Sequence, residues 1–465
     1  MAMSYRVRFW DIRERLGRRR PFEVRWKVNN REKSESFTTK GLAESRRSKL
    51  MTAAREGEPF DDATGLPASE LRALKQSVTW YQHAHDYIDQ RWDRTPGGTR
   101  RTLADALATI TPALVKSSSG QPDRRVLRRA LYSWAFNKNA WQSEPPEEWR
   151  KALDWVEKQS LAISSLEAPA TVRKALDALA LKLDGKPAAA KTALRKRAAL
   201  SDTLGFAVEQ GYFAVNPLAG VKWQTPKSTE VVDPECVPNP AQVARLLAAV
   251  RDQGGRGPHL EAFFGCMYYA AMRPCEVIRL ELPQCHLPEE GWGVLTLRGG
   301  VVLAGKEWTD DGEAHEVHSL KKRALKETRP VPIPPEFVAT LRAHIDRFGT
   351  APDGRIFRSG QGLYVQTAAY GKTWKKARES ALTVQEQGSL VAKRPYDLRH
   401  AGISFWLYSG ADPAECARRA GQSIEVLFRV YAKVLADAQE HANQRISEAM
   451  KEWAARMPDA APTGR

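Results

Sequence analysis

Arg394-Pro395-Tyr396-Asp397-Leu398-Arg399-His400-Ala401-Gly402 is the stretch from which the rest of the chain is best read. Two other segments go with it. Ala270-Ala271-Met272-Arg273-Pro274-Cys275-Glu276 lies upstream at a helix-to-helix junction, and Ala420-Gly421-Gln422 lies downstream, followed by Tyr431. Between the first two comes Leu320-Lys321-Lys322-Arg323, just before Arg329-Pro330-Val331-Pro332-Ile333. The residue types are those of anion chemistry. Planar guanidinium groups such as Arg273 and Arg399 bind paired anionic oxygens bidentately. A tyrosine hydroxyl, with an ordinary pKa near ~10, is a poor nucleophile unless the charge it generates is stabilised.

Charge points the same way. Of 465 residues, 72 are Lys or Arg and 55 Asp or Glu, a net +17. That excess favours a polyanionic partner, nucleic acid before an anionic membrane surface. The first 60 residues hold 16 Lys/Arg against 8 Asp/Glu, nearly half of the excess. With 42% hydrophobic and 27% charged residues the chain is globular rather than disordered. No apolar run approaches the ~18–20 residues of a membrane span, and Met1 to Trp10 is basic without a signal-peptide core, so a cytoplasmic, nucleoid-associated protein is expected. The five cysteines, Cys236, Cys266, Cys275, Cys285 and Cys416, include no C-x-x-C pair. Free thiols are expected, with no metal and no cofactor.

The order of the three segments resembles the catalytic domain of the tyrosine recombinases, the phage integrase family, over about residues 239–450. That family carries an Arg in a G-x-R-x-x-E-like box, a Lys on a β-hairpin, an H-x-x-R box, a G-H motif and a nucleophilic Tyr. Arg273 with Glu276 fits the first box, and Arg399 fits the Arg of the second. Tyr431 lies nine residues after Gln422 and 32 after Arg399, spacings the family shares. Lys321 takes the place of the lysine, with Lys322 a rival. Two positions depart from the pattern: Tyr396 stands where H-x-x-R begins, and Gln422 stands for the His of G-H. Neither shuttles a proton near pH 7, though both can donate a hydrogen bond to phosphate oxygen. The general base is therefore left unassigned. His400, next to Arg399, is expected to be a packing residue, and Glu276 to orient an arginine or cap a helix.

The resemblance implies an enzyme, a site-specific recombinase or integrase that moves a phage or mobile element. It would cleave DNA through a 3′-phosphotyrosyl link and rejoin it without ATP. Arg273, Lys321, Tyr396, Arg399, Gln422 and Tyr431 would form the catalytic set. Its partners would be double-stranded attachment sites, a homotetramer assembled on DNA and an accessory bending or excision factor. Two rivals stay open: a type IB topoisomerase-like nicking and resealing enzyme, and a non-catalytic DNA-binding relic.

The expected architecture is multidomain. Residues 1–64 form a small basic sheet-plus-helix domain that binds arm-type DNA, from the alternation in Tyr5–Phe9 and Phe22–Val28, a third strand at Ser36–Thr39 and a helix at Leu42–Arg55. Residues 65–224 form an all-α core-binding domain, its helices at Thr79–Trp92, Asp123–Trp134, Pro146–Leu161, Thr171–Leu183 and Lys191–Gln210. Residues 225–238, proline-rich, are a linker. Residues 239–457 form a mixed α+β catalytic domain, and 458–465 a disordered tail. Candidate DNA contacts are Arg18, Arg19 and Arg20 in the N-terminal turn, and Lys191, Arg195, Lys196 and Arg197 at the start of the clearest helix.

Overall fold

The computed structural model describes residues 3–71, 78–224, 231–320, 327–437 and 439–456; within 432–442 it describes the backbone only. The chain divides into two compact units, residues 1–227 and 228–465, and it is mixed α and β. Among the described residues no helix is long and apolar enough to cross a membrane.

In the first unit, the strand Phe22–Val28 is the centre of an antiparallel sheet. Val7–Phe9 and Arg13–Glu14 pair with its two ends, and Arg31–Phe37 pairs along its whole length. Val24, Trp26 and Val28 alternate onto one face, where they are buried against Ala43, Leu50 and Ala53 of the helix Lys40–Arg55. Thr39 caps that helix through its side chain. The third strand runs over Arg31–Phe37 instead of Ser36–Thr39. Its charged residues carry no alternation because it is an edge, largely exposed.

Met3–Ser4 pairs with Phe60–Asp61 in a separate two-stranded ladder, and from Trp80 onward the first unit is mainly helical: Trp80–Trp92, Gly97–Ile110, Arg124–Ala130, Glu147–Gln159, Pro169–Leu179 and Ala190–Glu209. Trp80, Tyr81 and Trp92 are core residues. The helix Gly97–Ile110 escapes sequence reading because Pro96-Gly97-Gly98 looks like a loop. Its Leu103, Ala104, Leu107 and Ile110 are nonetheless buried at helical spacing. Pro169–Leu179 starts earlier and stops earlier than Thr171–Leu183, with Pro169 at N1.

In the second unit, the helix Gly257–Tyr269 is buried over most of its surface and forms the centre of the core, with Glu261 on its partly exposed side. Pro240–Arg251, Pro335–Phe348, Thr367–Ala381 and Asp397–Tyr408 lie around it. The closest approach is at Gly402, where a Cβ would lie 2.0 Å from the Tyr268 carbonyl oxygen. Arg329–Ile333, Gly293–Leu297 and Cys285–His286 form a three-stranded antiparallel sheet, and Gly299–Leu303 pairs with His315–Ser319. The helices Pro413–Ala420, Ile424–Asp437 and Gln439–Arg456 complete the unit.

The expected linker is only partly one. Val232 is buried and donates its amide to the Val430 carbonyl at 2.8 Å, and the Cys236 carbonyl accepts from the Ala392 amide at 3.0 Å. Residues 231–238 thus belong to the second unit. Pro234 opens a short 3-10 helix, Pro234–Cys236, capped by Asp233, within this packed stretch.

Candidate active site

The site begins with a tight turn. Ala271 is held at φ 45°, a conformation costly for a residue with a Cβ. Two residues on, Arg273 is the N-cap of the short helix Pro274–Ile278. Glu276 folds back onto it: one carboxylate oxygen accepts the Arg273 amide at 2.8 Å and the other accepts Arg273 Nη1 at 3.0 Å. The same carboxylate accepts both terminal nitrogens of Arg329, at 3.0 and 2.8 Å. Burial alone would neutralise Glu276, but Arg329 foremost, then Arg273 and Arg399, overcome it and hold the carboxyl at about 2. A buried carboxylate thus fixes one arginine from each side.

Arg399, on the helix Asp397–Tyr408, is 2% exposed. It donates to the Ala271 carbonyl and, at 2.7 Å, to that of Ala420, while Arg273 Nη2 donates to the next carbonyl, Gly421, at 3.0 Å. Two guanidiniums therefore rest on successive carbonyls of the turn that ends the helix Pro413–Ala420. That turn needs glycine: Gly421 has φ 62° and ψ 52°, and a Cβ there would lie 2.1 Å from Arg329 Nη1. Burial and then the neighbouring Arg273 lower the Arg399 pKa from its ordinary value.

Tyr431 sits at a break in the helix Ile424–Asp437, with φ −109° and ψ 21°. Its ring is 2% exposed. Burial pushes its hydroxyl pKa well up, against the pull of Arg399 and Arg273, so it is protonated at neutral pH. Its Oη lies 2.9 Å from His400 Nδ1. Tyr396 packs edge-on to the His400 ring, centroids 5.2 Å apart. Gln422 Nε2 is buried with no hydrogen-bond partner among the described residues.

These side chains meet at a cavity of about 530 Å³. Its walls include Arg273, Tyr396, Arg399, His400, Gln422 and Tyr431. Each arginine has five N–H donors, and the contacts above engage two, so both keep donors for a ligand. The arrangement can hold an anion on two fixed cations beside a neutral hydroxyl. Among the described residues, no group of three or more His, Cys, Asp or Glu is placed to hold a metal ion.

Five of the six expected catalytic residues come together here. The sixth, Lys321, lies outside the described residues, as does its rival Lys322. Two participants were not foreseen. Arg329 shares one face of its strand with buried Val331 and Ile333, and an arginine on an apolar face demands a carboxylate. His400 follows Tyr396 by four residues, which puts both on one side of a helix; that spacing was the available signal. The expectation that His400 merely packs is corrected by its contact with the Tyr431 hydroxyl.

The candidate DNA contacts lie elsewhere. Arg18, Arg19 and Arg20 are exposed in the turn between strands, and Lys191 and Arg195 are exposed at the start of the helix Ala190–Glu209. Arg197 is half-buried. Lys196 is a correction: it is 9% exposed, pairs with Asp105 at 3.0 Å and donates to Thr109 at 2.9 Å. It faces Gly97–Ile110, the helix the sequence hid, and therefore looked free.

No family model matches the chain, and no curated protein matches it. Among solved structures the chain is similar to a Tn1549 transposon integrase in complex with a circular intermediate DNA, with 16% identity and a TM-score of 0.48 over 69% of this chain and 99% of that one. It is similar to the XerH site-specific recombinase bound to a palindromic difH substrate, with 13% identity and a TM-score of 0.43 over 77% and 97%. A lambda integrase dimer bound to a core site gives 12% identity and a TM-score of 0.43 over 88% and 91%.

Proposed function

We propose that this chain is a tyrosine recombinase, an enzyme that cleaves and rejoins DNA at specific sites through a covalent link to Tyr431. The observation that carries the proposal is the convergence at one cavity of Arg273, Tyr396, Arg399, Gln422 and Tyr431, residues drawn from separate segments and first grouped by motif order alone. A DNA phosphodiester in that cavity would place its non-bridging oxygens on the donors of Arg273 and Arg399. The negative charge that grows on those oxygens during attack would meet cations already fixed in place, so no metal ion is required for that task. Tyr431 Oη would bond to phosphorus as the bond to the 5′ oxygen breaks, leaving a 3′-phosphotyrosyl strand and a 5′-hydroxyl. Lys321 would protonate the leaving oxygen. Tyr396 and the unpartnered amide of Gln422 would add hydrogen bonds to the phosphate.

In this reading residues 1–64 bind arm-type DNA, 65–224 bind the core site, and the second unit cuts. The helix Gln439–Arg456 exposes Ile446, Met450 and Trp453 at helical spacing, an apolar stripe suited to exchange between protomers of a tetramer. Integration or excision of a mobile element, with an accessory bending or excision factor, is the corresponding role, at the chromosome in the cytoplasm.

The test uses a library of duplexes randomised across the centre and nicked there, so that the short 5′ fragment escapes after cleavage and the adduct accumulates. The full-length protein should form covalent adducts on a restricted set of sequences, and Tyr431→Phe should bind those sequences without forming adducts. Adducts formed by Tyr431→Phe, or none formed by the wild type, overturn the proposal.

A further inference from the structure

The pocket holds a protonated nucleophile and one imidazole. Neither Tyr396 nor Gln422 can accept a proton near neutral pH. Among the residues lining the cavity, His400 is the single group whose ordinary pKa allows it, and it already touches the attacking oxygen at 2.9 Å. Arg273 and Arg399 stand beside the same hydroxyl, so the tyrosinate they would stabilise forms next to an acceptor. The edge-on packing of Tyr396 against the imidazole helps to fix the ring plane.

We propose that His400 is the general base for Tyr431, replacing the imidazoles absent at positions 396 and 422. This rests on the recombinase function proposed above. In the forward step His400 carries its own proton on Nε2 and accepts on Nδ1. The Tyr431 O–H bond breaks, its proton passes to Nδ1, and the oxygen lone pair forms the bond to phosphorus while the bond to the 5′ oxygen breaks. The leaving oxygen takes its proton from a different group. In rejoining, a 5′-hydroxyl attacks phosphorus and gives its proton back to the group that protonated it in the forward step, Lys321 in the reading above, while His400 returns the Nδ1 proton to the departing Tyr431 oxygen. With His400 serving the Tyr431 oxygen and the second group serving the 5′ oxygen, protons and electron pairs balance in both directions.

The experiment measures the single-turnover rate of adduct formation on one sequence captured from the nicked library, for the wild type, His400→Ala, His400→Asn and Tyr431→Phe. His400→Asn keeps an acceptor oxygen near the Nδ1 position without basicity. Both His400 variants should lose roughly 10²–10⁴-fold in rate, the usual contribution of general-base catalysis, while binding the same duplex as the wild type does. The loss should persist when the 5′-bridging oxygen is replaced by sulfur, which leaves without a proton, because His400 acts on the nucleophile. Added imidazole should partly restore His400→Ala. A near-wild-type rate for either variant would make His400 dispensable as a base. Rescue by the sulfur substrate would make it the acid for the leaving group, and would overturn the assignment equally. If His400→Ala does not fold, the Asn variant decides alone. An adduct formed by the wild type and lost in Tyr431→Phe, with both His400 variants unaffected, defeats this inference and leaves the recombinase function standing. No wild-type adduct defeats both.

Discussion

Arg329 does not line the cavity, yet the structure makes it the support of Arg273. Arg329→Met keeps an apolar stem, removes the guanidinium and leaves Glu276 buried with Arg273 as its hydrogen-bonded cation. The cost follows by two routes. Breaking a buried ion pair from one side costs about 3–5 kcal/mol. Separately, holding the Glu276 carboxyl at about 2 against an ordinary 4.5 corresponds to roughly 3 kcal/mol of stability at neutral pH. Arg329 is the leading attraction in that balance, so about 3 kcal/mol is expected from its loss. Because the folded value is depressed, the contribution is complete above pH ~4.5 and is lost as pH falls through about 2. Hydrogen exchange of the full-length protein, read by peptide, is the assay, since it reports each unit separately. Exchange around residues 274–278 and 329–333 should quicken about a hundredfold in Arg329→Met, with the helices of residues 80–209 unchanged. The gap between wild type and Glu276→Gln should stay constant from pH 8 to about 5 and narrow on acidification. Exchange altered by no more than a few-fold would refute the argument that this carboxylate needs both arginines.

Three further outcomes are expected. Gly421→Ala combines a left-handed backbone, costing about 1–2 kcal/mol, with a Cβ 2.1 Å from Arg329 Nη1; it should lower the thermal midpoint of the second unit and weaken anion binding together, whereas the same change at Gly98, where a Cβ meets nothing within 4 Å, should do neither. Lys196→Met should destabilise the helical part of the first unit by leaving Asp105 with fewer partners, yet leave the salt dependence of DNA binding unchanged. Replacing Arg18, Arg19 and Arg20 together by Gln should instead flatten that slope by roughly 0.9 log units per phosphate contact removed; an unchanged slope in the triple variant would mean the turn does not touch DNA.

The sequence was most legible where a local pattern and the tertiary need coincide. Asn239-Pro240 marks a helix start, with Asn239 and Gln242 forming a reciprocal cap, and Val243, Leu246, Leu247 and Val250 are buried as the spacing requires. Motif order brought Arg273, Arg399 and Tyr431 into view although they lie far apart along the chain. Legibility failed where a residue's role is set by a neighbour the sequence does not advertise. Lys196 reads as part of a basic run until Asp105 is seen to come from a helix hidden behind two glycines. His400 reads as the residue after an arginine, and only the helix turn joining it to Tyr396, with the break at Tyr431, shows what it touches. The strand His315–Ser319 was not foreseen either, because its pairing with Gly299–Leu303 is a long-range choice and His-Glu-Val-His-Ser carries little apolar signal.

Arg399 ties the Ala271 turn and the Ala420 turn to its own helix through hydrogen bonds to backbone carbonyls. Its position thus depends on all three segments at once. Loosening any one of them frees the guanidinium, and with it the charge that would make Tyr431 dangerous to a phosphodiester. A nascent, truncated or partly melted chain thus carries the tyrosine without its activators. For a protein proposed to break DNA, the cross-brace acts as an interlock: the capacity to cut depends on the fold that sets Arg399 between three separate segments.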